Sequence, residues 1–146
     1  MKDIYNYMFL TEKLSSSGMP TPGQVQEVAD AGVQVIINLA TSKSEGAIPN
    51  EDELVKGLGM EYIHIPVEWN NPTKQNLADF FNALDAHKND KIHVHCQANY
   101  RVSAFIMLYR VLQLGWKKED AIPVMEKMWN PEDFPVWQKF IDESLG

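Results

Sequence analysis

The residues of this chain best suited by type and spacing to do chemistry are Cys96 and Arg101, which bracket Gln97-Ala98-Asn99-Tyr100. The run Ile92-His93-Val94-His95 before them alternates with the period of a strand. Beyond them Val102, Phe105, Ile106, Tyr109 and Leu112 recur at helical spacing and stop before Gly115. Cys96 is therefore expected at a strand-to-helix junction. There the free N–H groups of a first helical turn and the helix dipole favour a thiolate and a bound oxyanion alike. The backbone of Gln97, Ala98, Asn99 and Tyr100 would supply donors, and the planar fork of Arg101 could hold two oxygens of a phosphate-like group. That chemistry is nucleophilic attack by an exposed loop thiolate on an anionic centre. A lone cysteine can equally be a small core hydrophobe, and it is the strand before and the helix after that favour the functional reading.

Other side chains enter through position. Lys43 lies in the polar loop 40–49 and could attract an anion. Glu68 follows Ile65-Pro66-Val67 in a second loop, and His95 could donate a hydrogen bond that steadies the cysteine loop. His64 and His93 are expected on the sheet surface. No cluster suggests a metal site, the methionines at 125 and 128 belong to packing, and no cofactor is implied.

The elements that must position these residues can be read in order. Tyr7 to Leu10 is expected as a short edge strand, and Leu14 to Pro20 as a loop. Thr21-Pro22-Gly23-Gln24 carries a capping box with proline at the first helical position, and that helix should end near Ala31-Gly32. Val33 to Leu39 is apolar enough to be a central strand buried on both faces. Asn50-Glu51-Asp52-Glu53 opens a second helix. Tyr62 to Val67 forms a third strand, and Thr73 caps a helix with the stripe Leu77, Phe80, Phe81, Leu84. Asp120 to Pro123 fits the first turn of a helix, and Val136 to Ser144 a final one docked by Trp137, Phe140 and Ile141. The expected fold class is α/β: a single domain over residues 1–146, with a central, mainly parallel sheet of four to five strands and helices on both faces. Such sheets present ligands at the carboxyl ends of their strands, which would make Lys43, Glu68, Cys96 and Arg101 neighbours.

The totals narrow the partners. With 146 residues, 45% of them hydrophobic, the chain is long enough for one sizeable core. A formal charge of −7 argues against nucleic acid and against anionic membrane surfaces as partners, so any anion site must be locally positive. One cysteine allows no internal disulfide, and the start of the chain lacks the flank and apolar run of a secretory signal. A cytoplasmic location is expected.

Taken together, Ile37-Asn38-Leu39, His64 to Trp69 and His93 to Arg101 resemble the cysteine-dependent protein tyrosine phosphatase superfamily over nearly the whole chain. Within it the chain is most similar to the bacterial dual-specificity-like group called beta-lactamase hydrolase-like phosphatases. The resemblance implies a phosphotyrosine-phosphatase-like fold and a phosphorylated substrate, protein or small molecule, hydrolysed through a phosphocysteine. Phosphate or sulfate would occupy the loop. It implies Cys96 as nucleophile, Arg101 and the loop amides as the oxyanion holders, and Glu68 as the acid that protonates the leaving group. Four departures from the family pattern accompany it. The loop has four residues between Cys and Arg where most members have five, and it has no glycine, leaving Asn99 as the residue best able to take positive φ. Val102 stands where a hydroxyl is expected, with Ser103 one place late. A glutamate replaces the usual aspartate. The four-residue gap is also that of rhodanese-type sulfurtransferases, and a non-catalytic anion-binding module would use the same loop; both remain alternatives.

Overall fold

The structure is a computed structural model describing residues 1–146. In chain order the elements are β1 (Met8–Thr11), β2 (Leu14–Ser17), α1 (Pro22–Asp30), β3 (Val35–Asn38), α2 (Glu51–Gly57) and β4 (Glu61–His64). They continue with α3 (Lys74–Ala86), β5 (Ile92–His95), α4 (Tyr100–Leu112), α5 (Lys118–Glu126), a 3₁₀ turn (Pro131–Asp133) and α6 (Pro135–Leu145). The sheet has five strands in the order β1-β2-β5-β3-β4. Only β1 and β2 pair antiparallel; β2, β5, β3 and β4 run parallel.

The period-two alternation along β5 decides what each face buries. Ile92, Val94 and Cys96 join Val35 and Ile37 in a core shared with α3, α4, α5 and α6. Ile36 on the other face packs with Val25 and Val28 of α1 and Val55 of α2. The expected α/β sheet with helices on both faces is therefore the observed fold. Both capping boxes form: Thr21 with Gln24, and Thr73 with Asn76. α4 is buried all round from Arg101 to Arg110, while Leu112, expected on its apolar stripe, is exposed. Each fully buried side chain of Phe or Leu size contributes about 1.5–3 kcal/mol, so α4 is the main apolar spar under the cysteine loop.

Four expectations need correction. Leu14 to Ser17 is a strand, not a loop, and it lies beside β5, where Ser15, Ser16 and Ser17 are all buried. β3 is fully buried but stands second from the edge, because β5 takes the centre. α5 begins at Lys118, so Pro123 falls inside it rather than in the first turn. His93 is not on the sheet surface but wholly buried. Its environment explains how. Ser17 Oγ donates to the Gly18 carbonyl at 2.7 Å, so its oxygen accepts from His93 Nε2 at 2.8 Å, and Ser15 Oγ donates to Nδ1 at 2.8 Å. Both nitrogens of a neutral ring are thus satisfied. Burial first, then the charges of His95 and the amino terminus, push its pKa down to about 3. No helix is long and apolar enough to cross a membrane.

Candidate active site

Cys96 follows the last residue of the central strand, and its own N–H still belongs to the sheet, donating to the Ser17 carbonyl at 3.3 Å. It is 1% exposed, so the cysteine side chain expected to be exposed is instead buried, at the floor of a cleft. From there the chain curls through Gln97, Ala98 and Asn99 into α4. Asn99 takes the left-handed conformation with φ 68°, the role that the missing glycine leaves to it.

The loop carbonyls are held outward. That of Gln97 accepts from Met19 N at 2.9 Å, that of Ala98 from Asn6 Nδ2 at 2.9 Å, and that of Cys96 lies 3.4 Å from His95 Nδ1. In a trans peptide the C=O and the following N–H point opposite ways. The N–H groups of Gln97, Ala98 and Asn99 are therefore turned inward, and no N–H from Gln97 to Arg101 donates to a backbone carbonyl. Such a run of convergent donors at a helix start is an anion-binding concavity. Gly18 permits this close approach, since a Cβ there would fall 2.7 Å from the Gln97 carbonyl oxygen and from the Tyr5 ring.

Arg101 is 7% exposed, and its Nε and one terminal nitrogen have no protein acceptor. Burial holds its pKa below the ordinary value, opposed by the nearby charges of Cys96 and Glu68. Its guanidinium lies 5.8 Å from the Trp69 ring centroid. Trp69, Cys96, Gln97, Ala98, Tyr100, Arg101 and Phe134 line a cleft of about 390 Å³. Its aromatic walls are braced from behind: Tyr100 stacks on Trp129 at 5.0 Å, and Trp69 packs against Trp137 at 5.4 Å.

Glu68 is exposed on the loop after β4, next to Trp69, and a bridge to Asn71 closes that loop. Trp137 Nε1 donates to the Trp69 carbonyl at 2.8 Å, which anchors the turn. Lys43 is exposed and does not line the cleft; its loop is hydrogen-bonded to the site through Glu45 N, which donates to Gln97 Oε1 at 3.1 Å. Ser103 is engaged elsewhere, donating to the Tyr100 carbonyl at 3.0 Å and accepting from Trp129 Nε1 at 2.9 Å, while Val102 is wholly in the core. No group of three or more His, Cys, Asp or Glu converges as metal ligands would.

Residues that sequence reasoning missed are Asn6, Ser16 and Glu51. Asn99 Nδ2 donates to the Asn6 carbonyl at 2.9 Å and to Ser16 Oγ at 3.0 Å. His95 Nε2 donates to the buried Glu51 carboxylate at 2.6 Å. No spacing signals these contacts, whose partners stand 93, 83 and 44 residues apart.

Comparison with known proteins agrees with the fold. A family model described as DSP-PTPase phosphatase fused to NAD+ kinase matches residues 12–136. A crystal structure of a candidate phosphatase (DUF442) from Shewanella putrefaciens CN-32 is 38% identical, with a TM-score of 0.86 over 98% of this chain and 90% of that one. TpbA from P. aeruginosa in complex with pTyr superposes with a TM-score of 0.74 at 15% identity, covering 93% of this chain and 82% of that one. The core catalytic domain of the PP-IP phosphatase SIW14 from S. cerevisiae, in complex with citrate, gives 0.77 at 18% identity over 95% and 85%. At these lower identities the likeness is one of fold. No curated protein matches the sequence.

Proposed function

We propose, since the chain belongs to the DSP-PTPase phosphatase family, that it hydrolyses a phosphate monoester through a phosphocysteine on Cys96. The observation that carries this reading is the buried Arg101, whose Nε and one terminal nitrogen lack protein acceptors in the cleft that Cys96 floors. Buried donors are almost always paired, and a tetrahedral oxyanion would pair them.

In the first step the Cys96 sulfur attacks phosphorus, an S–P bond forms, and the bond to the leaving oxygen breaks. Glu68 gives that oxygen its proton. The inward amides and Arg101 hold the three equatorial oxygens as charge spreads over them. In the second step water attacks phosphorus and yields a proton to Glu68, the S–P bond breaks, and inorganic phosphate leaves a regenerated thiolate. Val102 offers no hydroxyl to the departing sulfur, and Ser103 is already engaged. The second step is therefore the slower one.

That TpbA forms a complex with pTyr and SIW14 one with citrate supports a phosphorylated substrate and binding of an anion here. Family membership favours phosphate over sulfur transfer. Assaying phosphate release from an aryl phosphate beside thiocyanate formation from thiosulfate and cyanide tests the choice. Phosphate release without thiocyanate is expected, and thiocyanate alone would reverse the assignment. Binding of phosphate with neither product would mark a non-catalytic module.

A further inference from the structure

Behind the cysteine loop, on the sheet face opposite Cys96, lies a second polar cluster that the proposed chemistry does not use. Glu51, the first residue of α2, is 5% exposed although it is a carboxylate. It accepts from His95 Nε2 at 2.6 Å with Oε2, while Oε1 accepts from Asn38 Nδ2 at 3.4 Å. Asn38 is itself held, donating to Tyr62 Oη at 3.1 Å and accepting from Ala40 N at 2.8 Å. Burial of this carboxylate is costly unless it is paired, and His95 is its one ionisable hydrogen-bond partner. The cluster opens to solvent through a cleft of about 340 Å³ lined by Asn38, Glu51, Asp52, Tyr62 and His64 among others.

Resting on the reading of Cys96 as nucleophile, we infer that Glu51 is a positioning residue: through His95 it orients the Cys96–Gln97 peptide and sets how readily the thiolate forms. His95 presents Nδ1 to the Cys96 carbonyl while Nε2 meets the carboxylate, so both nitrogens face acceptors. A ring held at both nitrogens fixes the Cys96–Gln97 peptide, whose N–H then favours negative charge in the cradle, and Glu51 is what holds the ring there. Turning the Cys96 carbonyl toward His95 also turns the Gln97 N–H into the cradle.

The charged and titratable groups around His95 are few. They are Glu51 and Asp52 on α2, Tyr62 and His64 on β4, His93 on its own strand, and Cys96 and Arg101 in the loop. His93 is a neutral ring with both nitrogens engaged by serines, and Tyr62 is a phenol held up to about 12 by burial. Among the groups touching His95, Glu51 is the anion.

The test uses the single cysteine of the chain. Alkylation by iodoacetamide, in which the thiolate displaces iodide, reports Cys96 alone and needs no phosphatase turnover. Followed against pH, the half-maximal point should move up by about one unit in Glu51→Gln. Asp52→Asn, which removes the neighbouring exposed charge, should leave the wild-type profile. Should Glu51→Gln fail to fold, Glu51→Asp, which draws the carboxylate back by one methylene, carries the test with the same expected direction. A folded Glu51 variant whose profile superposes on wild type, or a shift equal to that of Asp52→Asn, overturns the inference. A shift in a protein that releases no phosphate would uphold it while refuting the proposed reaction.

Discussion

Asn6 and Asn99, both in the left-handed conformation, clasp each other across the cysteine loop. Asn6 Nδ2 donates to the carbonyl of Ala98, the residue before Asn99, and Asn99 Nδ2 donates to the carbonyl of Asn6, each at 2.9 Å. The first contact keeps the Ala98 carbonyl turned away from the cleft and the Asn99 amide turned in. Without it that peptide plane is free to rotate, and an inward carbonyl would repel an oxyanion.

Asn6→Gly keeps the positive φ and removes only the side chain. Losing one such hydrogen bond should weaken phosphate or vanadate binding about tenfold, with the Cys96 alkylation rate little changed. Inhibition constants for the two anions check this, and equal affinity in the variant would remove Asn6 from the cradle.

Arg101→Lys leaves a positive charge but not a planar fork. A point ammonium cannot supply two parallel hydrogen bonds, so phosphate release should fall by about 10²-fold or more. Steady-state kinetics on an aryl phosphate would show it, and unchanged kinetics would place Arg101 outside the reaction.

Glu68→Gln separates acid help from structure. The loss should be about 10²- to 10⁴-fold with a poor alcohol leaving group and slight with an activated nitrophenol, because only the former needs a proton. Equal losses on both would assign Glu68 to the turn it closes with Asn71.

The buried His93 ties stability to pH. Its folded-state pKa, about 3, lies below the unfolded value of about 6.5. The unfolded chain therefore binds the proton first as pH falls. Stability due to this group is complete above about pH 6.5 and is lost toward pH 3, at up to about 1.4 kcal/mol per pH unit. Urea unfolding at several pH values should show that slope in wild type and a shallower one in His93→Gln. Identical slopes would contradict it.

Much of this architecture was legible because local rules carry it. The capping boxes of Thr21 and Thr73, the alternation through β5 and the positive φ of Asn99 each depend on a few adjacent residues. What escaped depends on partners distant in sequence. Leu14 to Ser17 reads as a turn because three serines are polar, yet two of those hydroxyls satisfy His93 and the third satisfies Asn99. Glu51 looks like an ordinary acidic helix start until His95 comes to meet it from another strand. The Cys–Arg spacing pointed to the loop that lines the cleft, whereas the clasp from Asn6 and the aromatic brace of Trp129 and Trp137 required the fold.

If phosphorus passes through Cys96 as proposed, the core position of Val102 should leave the intermediate long-lived enough to trap. With Val102 in the core and Ser103 engaged elsewhere, the proposed mechanism makes breakdown of a phosphocysteine the slow step, so the intermediate should accumulate during turnover. Quenching the enzyme in denaturant while it consumes an aryl phosphate, and measuring the mass of the peptide that contains Cys96, reads this directly. The account predicts a phosphoryl group on Cys96 in the wild type and none, with no phosphate release, in Cys96→Ser. Phosphate released at an undiminished rate by Cys96→Ser, or a wild-type peptide left unmodified throughout a turnover that shows an initial burst of alcohol, would contradict it.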